Sequence, residues 1–331
     1  MLEFCVYTNI NFRCGQGISV VTTPPIAATI AASAAFANRD DCGRMSPDNA
    51  YEEVQLPGRG NGLIANRPIQ QSELIMLDSP IFVFNENAYE DLEDDPRRQL
   101  IWRGIDQLPA ATKSLTLGMG KSAGGDAIED IMQTNAFTQF FGDDNVKHET
   151  LLREAALLNH DCRPNVLYRF DTDSLTHHGH ALHKIEPGEE LLHTYIDTEM
   201  PYEQRQEVLL KNWGFSCKCS LCSQDEFRLL ASNTRLSRLQ ELKQKLVTPD
   251  SAREMLSLYD KEGLIAPKFR VWEAAAYAHN EVGEKRNAVK YARIVHEYAM
   301  WLLGPENEQT KFWEVFIKHP EAHGSWKARL R

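Results

Sequence analysis

The order of apolar and polar positions divides the chain into a β-rich part followed by a helical part. Between Val54 and Phe84, short apolar runs are separated by turn signals such as Pro57-Gly58, which predicts short strands. Hairpin patterns return from Val166 to Ile196, in the runs "VLYRF", "LTHHGHALHKI" and "ELLHTYI". Helical patterns then follow from Glu226 to the end.

Apolar residues at i, i+3 and i+4 spacing predict five helices in this last part, over 235–247, 252–259, 271–279, 288–303 and 311–316. Their alanines are compatible with a tetratricopeptide-like array. Further helices are predicted over 97–117, 125–133 and 202–212. The glycine-rich run "GMGKSAGG" between the first two does not fit a phosphate-binding P-loop, because Leu115 stands where its first glycine is needed.

The first fifty residues have a different composition. No charged residue occurs between Arg13 and Arg39, and the stretch ends in the run Ala35-Phe36-Ala37, which resembles a signal-peptidase site. Pro24-Pro25 and the absence of a basic start argue against a secretory signal. We expect residues 1–50 to be a flexible extension that contributes nothing to the core, with a secretory or targeting signal as the alternative.

Composition narrows the class of protein. The 331 residues are 42% hydrophobic and include six Trp, which predicts a packed globular protein. Residues 1–225 carry 18 basic and 33 acidic residues, whereas residues 226–331 carry 18 and 14. We therefore expect no direct nucleic-acid binding, which depends on phosphate neutralisation, and a basic peptide is a more suitable partner for the acidic part. We also expect no membrane segment, and a monomer.

Three of the seven cysteines have the spacing of a metal site. Cys217, Cys219 and Cys222 lie within six residues, and a structural zinc ion needs four ligands. Cys162 and His160, in the run "NHDCRPN", are the candidates for the fourth ligand. The alternative is three reduced thiols without a metal.

Other polar motifs are weak when taken singly. "NHDCRPN" fits an ordinary cap and turn at the end of an apolar helix over 151–158, and Tyr195 fits a core aromatic residue at the end of a strand. His177, His178, His180 and His183 could bind a metal, but without a nearby carboxylate an exposed hairpin is the better interpretation.

Together these motifs resemble a known family. In this order, "GRGNGLIA", "MQTNAF", "NHDCRPN", "GEELLHTYID" and "WGFSCKCSLC" resemble a SET-domain protein-lysine methyltransferase with a post-SET cysteine cluster. The similar subgroup is the SET- and MYND-domain (SMYD) family, and the resemblance covers about residues 54–224. The MYND zinc insert is missing, because no cysteine lies between Cys42 and Cys162.

The resemblance implies an α+β architecture. It comprises a β-rich SET domain over 51–200 with a pseudoknot and a helical insert at about 89–150, and a post-SET zinc segment over 201–224. A C-terminal all-α, tetratricopeptide-like region over 225–331 follows. In the pseudoknot, "NHDCRPN" threads under the "ELLHTY" strand.

The resemblance also assigns residues. It implies S-adenosylmethionine as cofactor, with Tyr195 as the catalytic tyrosine. It implies Cys162 as the fourth ligand of a structural zinc ion, beside Cys217, Cys219 and Cys222. The implied cofactor contacts are Gly60, Asn61, Gly62, Asn135, Asn159, His160, Tyr195 and Phe215.

The expected activity is therefore S-adenosylmethionine-dependent methylation of lysine in a histone or another protein. A catalytically inactive SET-like scaffold is the alternative, and methyl transfer to a small molecule is a third interpretation. Because this cofactor and reduced thiolates are intracellular, we expect the nucleus or the cytoplasm, with the N-terminal stretch as an objection.

Overall fold

The computed structural model describes residues 3–37, 42, 50–122 and 124–330, and they form two compact units. The first unit comprises the chain up to His160, Asn165–His193 and Val208–Ser216. The second comprises Asp161–Pro164, Thr194–Glu207 and the chain from Cys217 onward. No helix among these described residues has the length and apolar character needed to cross a membrane.

The strands all belong to the first unit. They are β1 (Cys5–Asn9), β2 (Ile18–Thr22), β3 (Tyr51–Leu56), β4 (Gly60–Ala65), β5 (Leu74–Asp78), β6 (Pro80–Asn85), β7 (Phe137–Phe141), β8 (Val146–Leu152), β9 (Asn159–His160), β10 (Val166–Asp171), β11 (Thr176–Ala181) and β12 (Glu190–His193). They form three sheets, with the orders β1-β2-β6-β8-β7, β10-β11-β5 and β3-β4-β12-β9. This mixed, β-rich architecture confirms the predicted α+β class.

The expectation that residues 1–50 form a flexible extension is wrong for the described part. Strand β2 is buried along its whole length and pairs with β1 on one side and, in parallel, with β6 on the other. Its uncharged run "ISVVT" is typical of a strand covered on both faces rather than of a linker. Cys14 and Cys42, which had no predicted role, form a disulfide. Residues 38–41 and 43–49 lie outside the described part.

The insert at 89–150 is only partly helical. Its helices are α3 (Ala88–Asp91), α4 (Asp94–Asp106), α5 (Ala110–Leu117) and α6 (Ala127–Asn135). The predicted helix over 97–117 is divided before Pro109, because proline disfavours helical backbone in the preceding residue. Strand β7 and most of β8 lie in the same insert and complete the five-stranded sheet. The apolar run 151–158 is the end of β8 and a short 3₁₀ turn, not an α-helix.

The histidine-rich run lies in the β10–β11 hairpin as predicted, but of its four histidines only His183 is exposed. It forms β11, the central strand of the three-stranded sheet, between β10 and β5. His177 and His180 are buried, and the Phe137 and Tyr168 rings cover His177. Apolar side chains of this sheet and of the β3-β4-β12-β9 sheet share one core, which includes Met76, Val166 and Leu191.

The helices of the second unit pack in chain order, each against the next. They are α8 (Glu226–Lys243), α9 (Pro249–Glu262), α10 (Lys268–Glu281), α11 (Lys285–Leu303) and α12 (Glu308–Lys318). This confirms a C-terminal helical region, although α8 begins nine residues before its predicted start. Helix α7 (Tyr202–Trp213) confirms the predicted helix over 202–212. Two shorter helices lie near the start of the chain: α1 (Phe12–Gly15), between β1 and β2, and α2 (Pro24–Ala31), after β2.

The buried position of β2 can be tested by mutation. Ile18 is 1% exposed, whereas Ile10, in the preceding turn, is 56% exposed. We expect Ile18→Ala to lower the free energy of unfolding by about 2–5 kcal/mol, through lost burial and a residual cavity. Ile10→Ala should change it by less than about 0.5 kcal/mol in the same urea titration. Equal midpoints for the two variants would contradict the packed strand.

Candidate functional site

Asn159, His160 and Asn165, at the two ends of the predicted pseudoknot segment, contact β12. Asn159 and His160 pair in parallel with Leu192 and His193. Asn165 then closes the segment onto the same strand. Its backbone N–H donates to the Leu192 carbonyl (3.1 Å), its side-chain oxygen accepts from the Leu192 N–H (2.7 Å), and its side-chain amide donates to the Glu190 carbonyl (2.8 Å). The Asn165 side chain therefore makes hydrogen bonds to the backbone of β12 that a neighbouring strand would otherwise make.

Strand β4 brings the predicted glycines next to this segment. The Asn159 amide donates to the Asn61 carbonyl (3.1 Å) and to Glu190 Oε1 (2.8 Å). A Cβ on Gly62 would lie 2.9 Å from each of these two side chains, from Asn159 Nδ2 and from Glu190 Oε1. Any larger residue at position 62 would have to displace these side chains. Gly60 has a φ of +72° and open space around it, so its role is conformational and it leaves the backbone accessible.

Two charged residues that contact Asn159 and His160 had no predicted role in the site. Arg59 Nη1 lies 2.8 Å from Glu190 Oε2, and its other nitrogen Nη2 donates to the His160 carbonyl (3.4 Å). Glu190 thus pairs with both Asn159 and Arg59. Both residues lie in the motifs quoted from the sequence, Arg59 just before the predicted glycines and Glu190 just after the turn before β12. Their pairing joins two strands that are far apart in the sequence, and residue spacing does not predict such a contact.

Phe215 and His160 are brought together. Their ring centroids are 6.1 Å apart, and both residues belong to the first unit. The segment before Phe215 is fixed by Trp213, whose indole N–H donates to the Thr134 carbonyl at the end of α6 (3.2 Å). These contacts place the post-SET aromatic residue beside the pseudoknot histidine.

Asn135 has a clear structural role. Its side-chain amide donates to the Ile131 carbonyl in α6 and to the Gly120 carbonyl in the glycine-rich loop, both at 2.8 Å. Asp130 holds the same loop by accepting from the Ser122 and Gly124 N–H groups. The asparagine therefore uses both amide hydrogens inside the protein, and the predicted cofactor contact of Asn135 stays a prediction.

A cluster of four rings surrounds the end of β12. The Phe137 ring lies 5.3 Å from His177 and 5.4 Å from His193, and Tyr168 stacks on His177 at 4.8 Å. Burial lowers the pKa of His177 and of His193 to about 3, so both are neutral at physiological pH. The cluster is thus aromatic and uncharged. The sequence analysis gave none of these residues a role.

Tyr195 belongs to the second unit and is half-buried. It follows the last residue of β12 by two positions, in a bend that Thr194 stabilises. The Thr194 hydroxyl donates to the Ile196 carbonyl (2.6 Å) and accepts from the Ile196 N–H (3.3 Å). The predicted site residues are therefore distributed over both units.

The four predicted zinc ligands lie together in the second unit. The sulfur atoms of Cys162, Cys217, Cys219 and Cys222 are all within 4.8 Å of one another. Cys162 Sγ lies 3.6 Å from Cys222 Sγ and 3.9 Å from Cys217 Sγ. Four thiolates at ~2.3 Å from one zinc ion would be about 3.8 Å apart, so these residues fit the ion. Between the two candidates for the fourth ligand, the structure places Cys162 in the cluster.

The surroundings of the sulfur cluster favour a bound cation. Hydrogen bonding to Cys217 raises the pKa of Cys162, and hydrogen bonding from Cys162 lowers the pKa of Cys222. Four neighbouring thiolates would repel one another without a positive ion. The Arg205 guanidinium, which is fully buried, supplies one positive charge through a 3.7 Å contact with Cys222 Sγ.

Comparison with known proteins shows what part of this chain is similar to. The SET domain model matches residues 60–196. The histone-lysine N-methyltransferase set5 of Schizosaccharomyces pombe is 30% identical over 186 residues, which cover 54% of this chain and 52% of that protein. N-lysine methyltransferase SMYD2-A of Danio rerio is 29% identical over 165 residues, covering 49% and 32%.

A plant protein, histone-lysine N-methyltransferase ATXR2 of Arabidopsis thaliana, is 35% identical over 129 residues, which cover 37% of this chain and 24% of that protein. The chain thus spans about half, or less, of the length of these relatives. The matched region contains β4, the pseudoknot segment and β12. The chain carries a SET domain over residues 60–196 and is similar to proteins named as lysine methyltransferases.

Proposed function

We propose that the protein is an S-adenosylmethionine-dependent protein-lysine N-methyltransferase. The observation that carries this proposal is the parallel pairing of Asn159 and His160 with β12, from which the Asn159 side chain reaches the Asn61 carbonyl of β4. This contact joins Asn61 and Asn159, two of the residues that the family resemblance assigns to the cofactor, within the region that matches the SET domain model. The relatives' names support the same activity.

The residues around β4 fit the cofactor. Gly60 and Asn61 are exposed, and nothing lies within 4 Å of a Cβ built on Gly60, so a ligand can approach the backbone there. Asn159, whose two amide hydrogens are used within the protein, can offer its side-chain oxygen, and Phe215 offers an aromatic face; these suit the polar and the adenine parts of the molecule. When bound, S-adenosylmethionine supplies an electrophilic methyl group on a positively charged sulfur.

The protein then has to present a neutral amine in line with that methyl group. A free lysine side chain has a pKa of ~10.4 and is protonated at neutral pH. The end of β12, which leads to Tyr195, lies among uncharged rings, and such surroundings disfavour an ammonium ion. In this proposal the Tyr195 hydroxyl orients the attacking nitrogen, and the acidic first 225 residues attract a basic substrate segment.

Zinc has a structural role in this proposal. Cys217, Cys219 and Cys222 directly follow the segment that carries Phe215, and Cys162 lies two residues after His160. An ion bound by all four sulfurs would therefore restrain the backbone next to Phe215 and the backbone next to His160. None of the four cysteines needs to contact the methyl group.

Removing the Tyr195 hydroxyl tests the catalytic assignment. We expect Tyr195→Phe to lower the rate of methyl transfer by about 10²-fold, because one positioned hydroxyl is lost from the reacting groups. The measurement is incorporation of label from methyl-labelled S-adenosylmethionine into proteins of a cell lysate. The control is Tyr7→Phe, which removes a hydroxyl from the partly exposed strand β1.

Two outcomes contradict the proposal in different ways. A wild-type protein that binds the cofactor in calorimetry but transfers no label would favour the inactive scaffold. A wild-type protein that neither binds the cofactor nor transfers label would remove the methyltransferase proposal altogether.

The glycine turn of β4 can be tested by cofactor binding. We expect Gly62→Ala to weaken the affinity for S-adenosylmethionine by about 10-fold or more, since the new Cβ displaces Asn159 and Glu190. Gly324→Ala is the matched control, because a Cβ there has no atom within 4 Å. If calorimetry gave both variants the wild-type affinity, Asn159 would not hold the cofactor.

The sulfur cluster predicts about one zinc ion per chain. Cys162→Ser should lower the zinc content measured by elemental analysis and lower the melting temperature by about 5 °C or more, because metal binding is coupled to folding. Cys5→Ser, which changes a thiol of β1 outside the cluster, should change neither quantity. Full zinc content in Cys162→Ser would show that the four sulfurs do not form the site.

A further inference from the structure

Two glutamates of the second unit are almost completely buried. Glu199 is 6% exposed and lies four residues after Tyr195, and Glu262, the last residue of α9, is 5% exposed. A buried carboxylate is costly unless it is fully paired, so each must have a set of fixed partners. Those partners connect helices α8 and α9 with the two chain segments that carry Tyr195 and Cys162.

Glu262 acts through Arg163, the residue next to Cys162. Its carboxylate accepts from Arg163 Nη2 (2.5 Å), Arg235 Nε (2.5 Å) and Ser232 Oγ (2.7 Å). Arg163 Nη1 in turn donates to the Cys162 carbonyl (2.7 Å) and to the Thr198 carbonyl (3.2 Å). One guanidinium thus joins the zinc-ligand segment, the segment after Tyr195 and the end of α9.

Glu199 holds the Tyr195 segment directly. Its carboxylate accepts from Lys243 Nζ in α8 (2.5 Å to Oε2) and from the Tyr259 hydroxyl in α9 (2.9 Å). Gln240 adds a weaker contact from α8 (3.3 Å). Arg163, which is held by Glu262 of α9, binds the Thr198 carbonyl, and Glu199 itself binds α8 and α9. Two consecutive residues after Tyr195 are therefore held by the same pair of helices.

We infer that Glu199 and Glu262 are positioning residues, through which helices α8 and α9 set the geometry of the Tyr195 bend and the Cys162 segment. This inference rests on the proposed function, since positioning matters only if Tyr195 acts in a reaction. It assigns a specific task to the first two helices of the C-terminal region. They are part of the catalytic machinery in this account and not only a separate array for binding partners.

The same two helices provide a matched control. Arg238 and Glu254 also join α8 to α9 through an ion pair (2.7 Å), but both are over 40% exposed and neither contacts the Tyr195 or Cys162 segment. An exposed pair contributes little to stability. Glu254→Gln therefore removes a carboxylate charge between the same helices without changing the inferred positioning contacts.

The experiment compares Glu199→Gln, Glu262→Gln and Glu254→Gln by hydrogen exchange and by steady-state kinetics. We expect the first two to accelerate amide exchange by about 10-fold over residues 194–201, where Ile196, Glu199 and Met200 donate to local oxygens. We also expect kcat to fall by about 10-fold or more, with KM for S-adenosylmethionine within about 3-fold of wild type. Glu254→Gln should match the wild type in all three quantities.

Two results would overturn the inference. One is amide exchange over 194–201 that does not change, because the carboxylates would then not hold this segment, or that accelerates equally throughout the chain, because they would then contribute only general stability. The other is an unchanged kcat despite faster local exchange. If either glutamine variant does not fold, Tyr259→Phe and Ser232→Ala remove one hydrogen bond from each carboxylate and are judged by the same criteria. A wild type that transfers no methyl group contradicts the proposed function, while the exchange pattern still decides whether the helices hold these segments.

Discussion

The hydrogen bonds between Asn165 and β12 are the constraint on which the rest of the site depends. Asn165 bonds to Leu192 and Glu190 with both its backbone and its side chain, and so fixes a second chain segment beside a strand that already pairs with β4. Everything between Asn159 and Asn165 is then held in a short loop. That loop carries the amide that contacts the glycine turn and the cysteine of the sulfur cluster.

The buried titratable groups of the site are either neutral or paired. The ring cluster near the end of β12 is uncharged, because burial keeps His177 and His193 neutral. The buried charges of the second unit are paired, Arg163 with Glu262 and Glu199 with Lys243. Removing one partner of such a pair is costly, since it leaves the other charge desolvated. The segments that carry Tyr195 and Cys162 are therefore held in a specific conformation.

Local features of the sequence were sufficient to predict those parts of the fold and of the site that depend on the spacing of residues along the chain. The three close cysteines indicated a metal site, and the structure adds Cys162 at the expected place. Turn signals located the strands around "NHDCRPN" and "GEELLHTYID", and the family resemblance, confirmed by the SET domain match, implied that these two segments meet. The i, i+3, i+4 pattern located the C-terminal helices.

Features that depend on tertiary pairing could not be predicted. The run "ISVVT" has the composition of a strand, but its place in the core depends on its pairing with β6, which the sequence does not show. Arg59, Glu190, Glu199 and Glu262 are ordinary charged residues in the sequence, and their importance comes from partners as far as 131 positions away. The burial of His177 follows from the rings of Phe137 and Tyr168 that cover it, which strand spacing does not reveal.

The most direct test of the account is to locate the transferred methyl group. The zinc-loaded protein would be incubated with a lysate and with S-adenosylmethionine that carries a trideuterated methyl group, and the digested proteins would be analysed by tandem mass spectrometry. The account predicts the added mass on lysine Nζ of one or a few proteins, within a basic sequence. Label found only in small molecules, or on side chains other than lysine, would contradict it.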